Sequence, residues 1–182
     1  EAGRAFGEPR YIEAATRSAS FVMTHLRDEG GRLLRSWRNG VAGGPAFCED
    51  HAQFASACLT LYETTHDLAW FTASRETADA MVRLFTDAER GGFFVTGSDA
   101  DALVVRPKDL QDNAVPSGNS VAAEVLLRLS HLTGETSYEE AGTSALRLVR
   151  DVMGRVPTGF GHALCALDLV LGPVHEVAIG PT

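Results

Sequence analysis

Residues 133–153 read TGETSYEEAGTSALRLVRDVM. Thr133-Gly134-Glu135-Thr136 is a turn signal. From Tyr138 onward, Ala141, Ala145, Leu148, Val149 and Val152 recur at three- and four-residue steps, the period of a helix with one apolar face. The same outline stands twice earlier. Tyr11 follows Phe6-Gly7-Glu8-Pro9, and Trp70 follows Thr65-His66-Asp67-Leu68. A small residue lies three positions after each aromatic (Ala14, Ala73, Ala141). A large apolar residue lies fifteen after it (Leu26, Phe85, Met153). An aromatic that closes a turn, with alanines that let two helices approach, is a packing device. Tyr11, Trp70 and Tyr138 are therefore expected in the core, and the repeat predicts an array of helical hairpins.

Working outward, a helix is expected from Pro9 to Leu26, with Pro9 at a first-turn position. Gly31–Trp37 is a short apolar piece, and Asn39–Pro45 reads as a glycine-rich turn. A helix from Glu49 or Asp50 to Thr65 pairs with one from Asp67 to Phe85. Phe93–Val95 and Ala102–Val105 are strand candidates around a turn at Thr96–Asp99. Further helices are expected from Asn119 or Ser120 to His131, from Tyr138 to Met153 and from Gly161 to Leu171. Val174–Gly180 reads as an extended edge. The start of the chain reads like the last turn of a helix followed by a linker.

Between the second and third hairpins lies Arg106–Asn119, RPKDLQDNAVPSGN, a polar stretch in an apolar chain. Such a stretch is either a surface loop or the lining of a site. The repeat register sets His51 opposite Asn119 and Asp50 opposite Gly118. Each inner helix thus opens with a polar residue, at an end where unpaired N–H groups and partial positive charge favour an oxygen-rich ligand.

The chain has 182 residues, 45% hydrophobic and 22% charged, as suits one folded domain. Its 24 acidic and 16 basic residues leave a net charge of −8, against a nucleic-acid or anionic-membrane surface. No apolar run approaches the roughly 20 residues that cross a bilayer. The three cysteines make no C-x-x-C pair. Cys58 and Cys165 fall in apolar helical patterns and are expected in the core, reduced, which suits a cytoplasmic protein. Cys48, beside Glu49-Asp50-His51, is read as buried and structural. The histidines lack H-E-x-x-H spacing and the acids lack a calcium loop, so neither metal nor cofactor is expected.

Three segments carry a family resemblance: RSWRNGVAGGPAFCEDHAQFASACLTLYE, GGFFVTGSDADALVVRPKDLQDNAVPSGNSVAAEVLLRLSHLTG and ALCALDLVLGPVHEVAIG. They resemble the C-terminal half of the spermatogenesis-associated protein 20 / YyaL family, and Arg106–Asn119 is the most specific part. That resemblance implies an all-α fold, a fragment of an (α/α)6 toroid of about three helical hairpins, with short β segments at one end. It is the architecture of six-hairpin glycosidases and N-acylglucosamine 2-epimerases. The resemblance implies that residues 1–182 are a partial toroid, with the family's thioredoxin-like domain and first hairpins absent. It puts the pocket at the toroid centre, near Asp50, His51, Arg106, Asp109, Asp112 and Asn119.

Within that set, His51 beside Asp50 is a candidate proton shuttle, and Asp50 alternatively a helix cap. Asp109 and Asp112 could flank a sugar bond as acid and base. Arg106 and Lys108 would lower their pKa values, which weakens a hydrolase reading. The bland alternative pairs Arg106 with Asp112 to hold the loop. Catalytic candidates are His51, Asp50 and Asp112. Arg106, Asp109, Asn119 and Trp37 are candidates for substrate contact. Two functions compete: a carbohydrate-modifying or carbohydrate-binding domain, epimerase-like more than glycosidase-like, with a small sugar or polyol as ligand, and a non-catalytic structural or protein-interaction part. An incomplete toroid exposes apolar helix faces, which predicts a homo-oligomer.

Overall fold

The computed structural model describes residues 1–100 and 105–175. The element order is α1 (Ala2–Phe6), α2 (Pro9–His25), β1 (Leu34–Arg38), β2 (Val41–Pro45), α3 (Cys48–Thr65), α4 (Leu68–Phe85), α5 (Gly118–Thr133), α6 (Thr136–Met153), a 3-10 turn (Pro157–Gly159) and α7 (Gly161–Leu171). The helices form antiparallel hairpins α1–α2, α3–α4 and α5–α6, and α7 follows. α5 packs against both α3 and α7, so α3, α5 and α7 make an inner row backed by α4 and α6.

The three hairpin turns share one device. Each inner helix ends in a left-handed residue, Gly7 (φ 66°), His66 (φ 59°) or Gly134 (φ 73°), whose N–H closes the last turn. An acidic residue follows as N-cap of the outer helix: Glu8, Asp67 or Glu135. Asp67 uses its side chain, which accepts from the Ala69 N–H at 3.0 Å. Fixing the turn this way fixes which faces meet. Ala52 and Ala55 of α3, Ala78 and Met81 of α4 and Ala122 and Leu126 of α5 come together in one core cluster with Phe85 and Phe93. The alanines are what let α3 approach its neighbours. Phe85, fully buried, contributes about 2–3 kcal/mol by leaving water.

Four sequence expectations change. Tyr11 is 42% exposed, whereas its repeat equivalents Trp70 and Tyr138 are 9% and 4% exposed. No long inner helix covers that face of α2, because α1 has only 5 residues. Asn39–Pro45 is not all turn: β1 pairs antiparallel with β2 through Asn39-Gly40 alone. Both turn residues have positive φ (52° and 82°), as a two-residue type I′ hairpin requires. Gly43 and Gly44 carry no side chain to display the strand's alternation. Cys165 is exposed rather than core, while Cys48 and Cys58 are buried. Phe93–Val95 makes only an isolated bridge, Thr86 to Phe93. The strand expected at Ala102–Val105 and the edge expected at Val174–Gly180 lie largely outside the described residues. No helix among the described residues is long and apolar enough to cross a membrane.

Candidate functional site

The starts of the inner helices do converge on the polar loop, and most of the loop's polar groups are spent on holding them there. His51, in the first turn of α3, is fully buried. Its Nδ1 lies 3.0 Å from the Phe47 carbonyl, and its Nε2 accepts the Leu33 N–H at 3.4 Å. Its ring meets Phe85 edge-on at 5.0 Å. Burial pushes its pKa down, against the raising effect of the Phe47 bond. The ring is thus neutral, with both nitrogens committed to backbone.

Asn119 does the same work one repeat later. Its Oδ1 accepts the Phe93 N–H at 2.8 Å, and its Nδ2 donates to the Phe93 and Asp109 carbonyls at 2.9 and 2.8 Å. Leu33 and Phe93 are themselves equivalent: each bridges back to the residue that leaves an outer helix, Arg27 or Thr86. One polar side chain near the start of α3 and of α5 therefore pins the bridging residue that precedes the helix. The expected register of His51 with Asn119 holds, and its product is a structural staple. Gly92 (φ 65°) makes room for it, since a Cβ there would stand 2.8 Å from the Asn119 Oδ1. Helix α5 is capped by Ser117, whose hydroxyl accepts from Ser120 N.

Asp50 is not the N-cap, which is Phe47; it stands at the third position of α3, where its Oδ2 accepts the Phe47 N–H at 2.7 Å as the acidic half of a capping box. Asp112 joins two helix starts. Its Oδ1 accepts Ser117 N at 2.9 Å, and its Oδ2 accepts His162 N and Ala163 N at 2.8 and 3.0 Å. Burial works to raise its pKa, but these N–H donors and Ser120 outweigh it and hold the carboxyl below its ordinary value. The Arg106–Asp112 ion pair is not formed. Arg106 donates to the Thr96 and Leu84 carbonyls and stacks on Phe94 at 4.2 Å. Helix termini, rich in N–H donors, outcompeted the arginine for Asp112. Lys108 takes the ionic role in the loop, 2.8 Å from Asp87, whose pKa it lowers to about 2.

Asp109 sits with Cys48, Glu49, Phe93, Gly118 and Asn119 around a void of about 20 Å³, large enough for one water. Gly118 is where α3 and α5 touch: a Cβ there would stand 3.2 Å from the Glu49 backbone. Trp37 is 38% exposed and packs on Phe21 and His25 of α2, and it does not line the nearest cleft.

That cleft, about 860 Å³, opens at the N-terminal end of α3. Arg35, Glu49, Asp50 and Gln53 supply its polar groups, and Leu34, Phe54, Val115 and Pro116 its apolar walls. Arg35 bonds Glu49 at 3.1 Å and lies over the Phe47 ring at 4.1 Å. Both partners stay about half exposed, at 43% and 44%. Of the residues expected at the pocket, only Asp50 lines it. Its neighbour Glu49 was passed over; its place in the first turn of α3 was the available signal.

A second constellation escaped sequence reading altogether. Glu124 bridges His162 at 2.6 Å and Arg128 at 3.3 Å, and Arg128 reaches on to Glu63 at 2.7 Å. The chain of charges runs across α7, α5 and α3. The hydrogen bond to Glu124 raises the His162 pKa, and His162 in turn lowers that of Glu124. Only the i,i+4 spacing of Glu124 and Arg128 was visible in the sequence. Glu63, Glu124 and Arg128 of this row line a further cleft with Thr60 and Cys165.

No protein-family model matches the chain. Spermatogenesis-associated protein 20 of Homo sapiens is 33% identical over 187 residues, 97% of this chain and 24% of that protein. The Mus musculus protein of that name is 34% identical over the same shares. The chain is a homologue of spermatogenesis-associated protein 20. It spans about a quarter of the length of these relatives. Among solved structures, a GH76 α-mannanase of Bacteroides thetaiotaomicron superposes with a TM-score of 0.64 at 18% identity, over 80% of this chain and 39% of that one. At that identity the likeness is one of fold alone: the hairpins are those of an (α/α) toroid, as in that α-mannanase.

Proposed function

We propose that this chain supplies one wall of a trough that binds a small sugar or polyol, epimerase-like more than glycosidase-like. The observation that carries the reading is the cleft at the start of α3, where Arg35, Glu49 and Gln53 border apolar surface within a carbohydrate-enzyme fold. Hydroxyl groups suit such a mixture: carboxylate and guanidinium take the hydrogen bonds, and Leu34 and Pro116 take the apolar face of a ring. Asp112 and Glu124 are held ionised by their partners. A glycosidase acid needs the reverse, so neither is suited to that role. His51 has no free nitrogen for a proton transfer, so Glu49 takes its place as candidate base.

Titration calorimetry of the chain against hexoses, N-acylhexosamines and polyols tests this. Binding by one member is expected, weakened about tenfold or more by Glu49→Gln through loss of a charged hydrogen bond. Absence of binding across the panel, or binding indifferent to Glu49→Gln, contradicts it. A non-catalytic scaffold is the second reading, favoured by one observation: His51, Asn119 and Asp112 all spend their polar atoms on backbone. In the whole protein we place this segment behind a thioredoxin-like domain, as the family resemblance implies.

A further inference from the structure

The charged groups of the cleft at the start of α3 do not balance. Arg35 stands against Glu49 and Asp50, one cation against two carboxylates, a formal sum of −1. The cation is already spent. Arg35 donates to the Glu49 Oε1 at 3.1 Å, and its guanidinium lies 4.1 Å over the Phe47 ring, which fixes its plane. Each carboxylate keeps one oxygen: Glu49 Oε2 and Asp50 Oδ1 accept no hydrogen bond among the described residues. Cations in the adjoining segments have carboxylates of their own, Arg32 with Asp99 at 3.0 Å and Lys108 with Asp87 at 2.8 Å. The start of α3 carries about half a positive charge, which offsets only part of the excess. Its first N–H groups are also taken, Phe47 by Asp50 and Cys48 by the Val95 carbonyl at 3.0 Å. An anion finds no open donor there. Cys48, buried at the first position of α3, feels the same field: burial raises its thiol pKa, and Glu49, Asp109 and Asp50 raise it further.

We infer that the cleft selects a small sugar or polyol bearing a free ammonium group, an amino sugar, and turns away sugars that carry carboxylate or phosphate. The inference rests on the sugar reading of this cleft and adds the charge of its ligand. An ammonium has three donors and no acceptor, which matches carboxylate oxygens left without a partner. Leu34 and Pro116 remain for the apolar face of the ring. Acylation of the nitrogen removes the charge and with it the preference.

NMR titration of the chain with glucosamine, glucose, N-acetylglucosamine and glucuronate, repeated in the galacto and manno series, tests this. At mildly acidic pH the amine is protonated and the carboxylates remain ionised. The amino sugar of at least one series is expected to bind about tenfold tighter than its parent hexose, since a hydrogen bond between charged groups is about twice as strong as a neutral one. Added salt should shrink that ratio. Asp50→Asn, which keeps an oxygen for the Phe47 N–H, should cut it to about threefold, and Arg35→Gln should widen it. The two variants move the ratio in opposite directions, which a loss of fold does not. A parent hexose that binds as tightly as its amine overturns the inference and leaves the sugar reading standing; no binding by any member overturns both. Glucuronate that binds as well as glucose overturns the inference. So does ethanolamine that binds as tightly as the amino sugar, because an acidic surface alone would then account for the preference.

Discussion

Replacing Asn119 with alanine isolates the device that pins the helix starts. The side chain is 4% exposed and serves both the N–H and the carbonyl of Phe93, a residue itself 1% exposed. It also donates to the partly buried Asp109 carbonyl. The alanine variant leaves the two Phe93 groups buried without partners, at about 1–3 kcal/mol each. The third bond and a small cavity add less, so a loss of about 4 kcal/mol is expected, within reach of a typical domain's whole stability. Urea unfolding followed by fluorescence of Trp37 and Trp70 measures it, with an unchanged m-value as the sign that the folded state keeps its extent. Hydrogen exchange at Phe93 supplies a local readout, since its N–H has lost its acceptor. A loss below about 1 kcal/mol, or a Phe93 N–H that stays protected, refutes the staple and with it the structural equivalence of Asn119 and His51.

Thiol chemistry should divide the cysteines. Cys165 is exposed, whereas burial pushes the Cys58 thiol up to about 12 and raises that of Cys48 further. One thiol per chain should react with a disulfide reagent in the native state and three in urea; a rapid second native thiol contradicts the packing. The Glu124–His162 pair should make the seating of α7 pH-dependent. His162, its pKa raised, contributes stability that is full below its unfolded value of 6.5 and is lost as pH rises through the folded value. Glu124, its pKa lowered, contributes stability that is full above 4.5 and is lost as pH falls through the folded value. Protection of α7 amides, corrected for intrinsic exchange, should therefore peak between pH 4.5 and 6.5. His162→Ala should flatten that profile, and an identical profile in the variant contradicts the linkage.

The hairpins were legible because their signals are local: helical period, a turn residue, an acidic cap and an aromatic all fall within one short segment. The register of His51 with Asn119 followed from the same repeat. What each residue does was not legible, because their partners lie far along the chain. His51 reaches back 18 positions to Leu33 and Asn119 reaches back 26 to Phe93. Asp112 looked like a partner for nearby Arg106, but a helix start 50 residues on offered N–H groups already aimed at its carboxylate. The Asn39-Gly40 hairpin signal was present and was masked by Gly43 and Gly44 in the strand that follows. Tyr11 read as core because its sequence context matches Trp70 and Tyr138; only the three-dimensional neighbourhood shows that it stays 42% exposed.

The claim on which the functional account rests is that a ligand enters the cleft at the start of α3. Crystals of the chain soaked with the sugar and polyol panel address it directly. The account predicts ordered density between Glu49 and Pro116, with ligand hydroxyls within hydrogen-bond distance of Glu49, Arg35 or Gln53, absent in Glu49→Gln crystals. A cleft that stays empty across the panel while sugar density forms elsewhere on the molecule contradicts it.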